Sequence, residues 1–100
     1  MQMNDFEKAE DVLERVTIAV ETLCVAKEDI RTRLKMAMTS IDPLLGRPQD
    51  FPTGLEEHAR KISEAAVDRD SIDDDTAEKI AQDIWSLFVN LIKIVRPGRD

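Results

Sequence analysis

Residues 42–54 read DPLLGRPQDFPTG, and this stretch decides the fold. Pro43, Pro48, Pro52, Gly46 and Gly54 lie inside it, and the remaining breakers, Pro97 and Gly98, sit at the far end. Proline removes a helix donor and collides with the turn before it, and glycine in a helix interior costs about 1 kcal/mol relative to alanine. Residues 1–42 and 55–96 therefore run without a breaker on either side of one stiff connector. The reading is all-α: a small antiparallel bundle of three long helices, about 4–41, 54–68 and 75–95, folded back at a Pro/Gly connector, 43–53. The whole chain, 1–100, reads as a single helical-bundle domain with enough length to bury a core. Leu44, Leu45 and Phe51 of the connector are expected to tuck against the end of the bundle.

Working outward, the first stretch carries a heptad seam. Phe6, Ala9, Leu13, Val16, Val20, Leu23, Lys27, Ile30, Leu34, Ala37 and Ile41 alternate steps of three and four, and only Lys27 is polar. Val12, Ala19 and Ala26 widen the stripe on one side, Cys24 and Met38 on the other, which suits a bundle helix. Two readings of Lys27-Glu28-Asp29 compete. In the favoured one, a continuous or kinked helix spans about 55 Å at its standard rise and points to a dimer. In the other, Asp29 caps a second helix, 30–42, the bundle has four helices, and a monomer is easy.

In the second stretch, Thr53-Gly-Leu-Glu56 matches a capping box. The helix after it should bury Leu55, Ala59, Ile62 and Ala66. Asp68–Asp75 reads DRDSIDDD, an interruption rich in carboxylates that suit the start of the next helix, with Ile72 as a staple. That last helix is expected to run from about Thr76 to Val95 and to end at Arg96-Pro97-Gly98. Its polar residues Lys79, Gln82, Asp83, Ser86, Asn90 and Lys93 fall within an arc of about 100°, leaving roughly 220° apolar. A helix on the outside of a monomeric bundle needs a narrower stripe. The surplus predicts contact with another chain around Trp85, a residue type enriched at interface centres.

Composition narrows the function classes. The net charge is −7, with −6 concentrated in residues 64–83. Such a surface repels phosphate, so neither nucleic acid nor an anionic membrane is an expected partner. The lone Cys24 excludes an internal disulfide and fits a reducing, cytoplasmic setting. The opening residues MQMNDFEKAE lack a basic region followed by an apolar run, so no secretory leader is read there.

No complete catalytic or metal pattern emerges. His58 is the only histidine, with Leu55 where an E-x-x-H motif needs glutamate, and is read as a surface or flank residue. Cys24 lacks a local base and is read as a buried structural thiol. A calcium loop begun at Asp68 would have Ile72 at position 5, Asp73 where glycine belongs and Lys79 where the bidentate glutamate belongs. Glu7 and Glu10 match half of the E-x-x-E/E-x-x-D magnesium pattern of all-helical pyrophosphohydrolases, but no glutamate has aspartate three residues on. Lys27, Arg31 and Lys35 form a basic stripe at i, i+4, i+8 that could grip an acidic partner, including the acidic region of a second copy.

The expectation is a non-enzymatic helical interaction module, without cofactor or metal, that forms a homodimer and acts as adaptor or regulator toward another protein. Its expected interface is Trp85, Phe88, Val89, Ile92 and Ile84, with Lys27, Arg31 and Lys35 as a second partner-facing stripe. One alternative is an inhibitor whose acidic surface, Asp68, Asp70, Asp73, Asp74 and Asp75, blocks a basic or nucleic-acid-binding protein. A metal-dependent helical hydrolase using Glu7, Glu10, Glu14 or the acidic turn stands behind both.

Overall fold

The computed structural model describes residues 4–67 and 71–96. Among them the chain forms α1 (Asp5–Val25), α2 (Ile30–Leu45), a 3-10 turn (Pro48–Asp50), α3 (Glu56–Ala65) and α4 (Asp74–Val95). The all-α bundle read from the breaker pattern is the observed architecture. α1 and α2 form an antiparallel hairpin, α4 lies along both, and α3 packs chiefly on α4 and the connector. No helix among the described residues is long and apolar enough to cross a membrane.

The favoured continuous first helix is not observed. α1 stops at Val25 and the chain folds back through residues 26–29. Asp29 caps α2, its side chain accepting from the Thr32 N–H at 2.9 Å. Arg33 donates to the Leu23 carbonyl at 2.7 Å and so satisfies one of the acceptors left open where α1 ends. Folding back lets the two halves of the apolar stripe bury each other: Ala9, Val12, Val16 and Ala19 of α1 share a core with Leu34, Ala37, Met38 and Ile41 of α2. The described body measures 39 × 28 × 17 Å, shorter than the rod a continuous helix would make.

The stripe on α1 is also rotated from its expected centre. Val12 and Ala19, read as flanks, are buried, whereas Leu13 and Val20 are half-buried and Phe6 is 45% exposed. The reason is that α1 faces two neighbours, α2 and α4, so the line between them lies deepest. Cys24, on the opposite flank, is exposed, which corrects its reading as a buried thiol.

α2 continues to Leu45 through Pro43, past the expected end. Pro43 deletes only its own donor and faces solvent, while burial of Leu44 and Leu45 holds the last turn. Phe51 then plugs the bundle end at 1% exposure. The capping box forms only in part. Glu56 reaches back to the Gly54 N–H at 2.8 Å, but the N-cap is Leu55, and Thr53 turns away to Asp5. Its backbone N–H and hydroxyl donate to one Asp5 carboxylate oxygen at 3.1 and 3.2 Å. Lys8 donates to the Gln49 carbonyl at 3.1 Å, so the connector is tied to the first turn of α1 twice over. Gly54 takes φ 94°, a conformation that side-chain-bearing residues rarely adopt. α3 buries the expected Leu55, Ala59, Ile62 and Ala66. α3 ends at Ala65, short of residue 68, and Asp68, Arg69, Asp70, Pro97 and Gly98 lie outside the described residues.

Candidate functional site

α4 begins where its carboxylates complement the helix dipole. Asp73 is the N-cap, accepting from the Thr76 N–H at 2.8 Å, and Asp74 and Asp75 occupy the first turn. The Thr76 hydroxyl and N–H hold the Asp73 carboxyl below the usual carboxylate range, as Thr32 does for Asp29. Ile72, buried just before the cap, anchors the entry as expected.

The inner face of α4 is Ala77, Ile80, Ile84, Leu87 and Leu91, all 0% exposed. Ile84 was expected at the interface with other chains. It is fully enclosed by its own polypeptide and leaves the candidate set. Much of the apolar surplus of α4 is absorbed in this way, because three other helices pack on it. What remains is a shoulder beside the core line. Trp85 is 52% exposed, Phe88, Val89 and Ile92 are half-buried, and the Trp85 and Phe88 rings lie 5.4 Å apart at 35°. Phe88 packs on the core and supports the indole from behind, within the distance range of favourable aromatic pairs.

The basic stripe does not survive as one row. Lys27 lies in the link between helices, ahead of the Asp29 cap, so it shares no helix with Arg31 and Lys35. Arg31 pairs at 3.1 Å with Asp74 of its own chain, so the acidic region it was expected to grip on a second copy is met internally. Arg31, Lys35, Leu34 and Ile72 line one shallow cleft.

Two further surface features depend on residues far apart in sequence. A cleft of about 250 Å³ between α3 and α4 is lined by Glu57, His58, Lys61, Asp83 and Ser86. Lys61 and Asp83 approach to 3.9 Å across it, and His58 is half-buried with Nδ1 enclosed and unpartnered. Helical spacing around His58 could not reveal Asp83 or Ser86, which arrive from another helix. The second feature is an open groove of about 640 Å³ on the outer face of α1, where Glu10, Asp11, Glu14 and Glu21 surround Leu13, Thr17 and Ile18, with Val95 at one side. Among the described residues no three histidine, cysteine, aspartate or glutamate side chains gather as a metal site. Comparison with family models, curated proteins and solved structures finds no match.

Proposed function

We propose that the protein is a non-enzymatic helical interaction module of the cytoplasm that associates with a second copy of itself through the shoulder of α4. The observation that carries this reading is the half-exposed Trp85, braced by Phe88 and flanked by Val89 and Ile92 on the longest helix. Burying an aromatic side chain of this size is a strong driving force for association, and tryptophan is a frequent anchor of interfaces. Sedimentation at micromolar concentration tests it. A dimer that Trp85→Ala converts to a folded monomer is expected. A wild-type monomer, or a Trp85→Ala dimer as tight as wild type, overturns it.

A second reading draws on the groove of α1. Carboxylates around an apolar floor suit a basic amphipathic segment of another protein, which would make the chain an acidic-surface inhibitor. This places the acidic contact on α1 and not on the turn before α4, where Asp73 serves as a cap. It predicts binding of a basic amphipathic peptide that weakens steeply with salt and is lost in Glu10→Gln/Asp11→Asn/Glu14→Gln. Binding that ignores both salt and these substitutions discards it.

A further inference from the structure

α4 carries a second heptad line beside the buried one. Glu78, Gln82, Trp85, Val89, Ile92 and Arg96 step by four, three, four, three, four, the spacing that keeps a row in contact with a neighbouring helix. Among the described residues no helix covers this row: Val89 and Ile92 are half-buried and the other four residues are exposed. Its chemistry is ordered, with an acid at the start, apolar residues from Trp85 to Ile92 and a base at the end. The Arg96 N–H bonds to the Ile92 carbonyl at 2.8 Å, which places this C-cap residue one turn beyond Ile92.

The spacing reads the same in both directions, and the charges do not. A two-fold axis at the level of residue 87 lays the row antiparallel on itself. Trp85 then meets the partner's Val89, Gln82 meets the partner's Ile92, and Glu78 meets the partner's Arg96 at both ends. A parallel pair would set Glu78 against Glu78 and Arg96 against Arg96. The two ends are about 27 Å apart along the helix, well beyond the screening length at physiological salt, so neither clash could be relieved by the opposite charge. We infer that α4 is the two-fold contact of the dimer, paired antiparallel with the partner's α4 in the register that joins Glu78 to Arg96. This inference rests on the self-association proposed above and adds its geometry, an isologous contact in which one patch is its own complement.

Cross-linking in a Cys24→Ser background tests the register. Gln82→Cys and Ile92→Cys variants, co-expressed and oxidised, are expected to form the mixed disulfide. Each alone stays uncross-linked, because its two copies of the thiol lie about 15 Å apart. Self-cross-linking of each variant alone overturns the antiparallel register. Absence of any cross-link in a protein that still sediments as a dimer places the contact elsewhere, and in both cases self-association stands. A wild-type monomer overturns both proposals and leaves the shoulder to an unlike protein. As a second measurement, Glu78→Arg and Arg96→Glu should each weaken dimerisation about tenfold at low salt, and the double variant should recover it. A double variant no tighter than either single one overturns the pairing.

Discussion

Ile84 and Trp85 are consecutive residues with opposite surroundings, 0% and 52% exposed. Ile84→Ala empties a packed site and is expected to cost about 2–5 kcal/mol in urea unfolding. Trp85→Ala removes a ring that the single chain covers only by about half, so unfolding of the dissociated protein should change by less than for Ile84→Ala, by about 1–2 kcal/mol. Its main effect belongs to association. The helix caps make a different prediction. Asp29 and Asp73 are held below the usual carboxylate range by the hydroxyls and N–H groups of Thr32 and Thr76, and Glu56 by its own N–H and that of Gly54. A carboxyl with a lowered value in the folded state contributes stability that is present above its unfolded value, about 4, and lost as pH falls through the folded value. Thermal melts between pH 5 and pH 2 should therefore show a loss of stability that is shallower in Asp29→Asn/Asp73→Asn. Asparagine caps about as well as aspartate, so the variant keeps the geometry and drops only the titration.

At the scale of elements, the break between α1 and α2 shows how capping and burial outweigh an unbroken periodic pattern. The heptad seam continues through Lys27, and by local spacing alone a continuous helix is as good as two. Asp29 supplies an N-cap and Arg33 closes the open Leu23 carbonyl, so the turn satisfies its own backbone. Arg33→Ala should cost about 1–2 kcal/mol in chemical unfolding, since it leaves that carbonyl without its charged donor. Pro43 illustrates the converse. It sits inside α2, exposed, where a helix interior penalises proline. Pro43→Ala restores a donor at a position already helical and is expected to stabilise the chain by about 1 kcal/mol or more in the same assay. An unchanged or lowered stability would mean that proline's restraint on the unfolded chain outweighs the missing hydrogen bond.

For the whole molecule, association and folding are linked. A dimer held by the α4 shoulder should melt at a temperature that rises with protein concentration, and Trp85→Ala should flatten that dependence. A concentration-independent melt of the wild type would count against self-association. The candidate site was partly legible before any tertiary information. Trp85, Phe88, Val89 and Ile92 stand out because a 3.6-residue period exposes an apolar arc too wide for an outer helix. Ile84 was misassigned because a wheel gives the width of the arc and not which part its own chain covers. The α3–α4 cleft was invisible for a related reason: His58 of α3 meets Asp83 and Ser86 only because α4 packs beside it.

The sequence alone determined what depends on nearby residues: helical content, a Pro/Gly connector in the middle of the chain, carboxylates at the start of the last helix and the inner face of α3. These follow from backbone sterics, capping hydrogen bonds and side-chain period, all of which act over a few residues. Tertiary structure alone decided that the first stretch splits at 26–29, that Val12 and Ala19 lie deepest on α1, that Cys24 faces solvent, and that Asp5 anchors Thr53 from 48 positions away. Those choices turn on which apolar faces can bury one another once the chain has folded back, a competition among distant segments that no local pattern encodes.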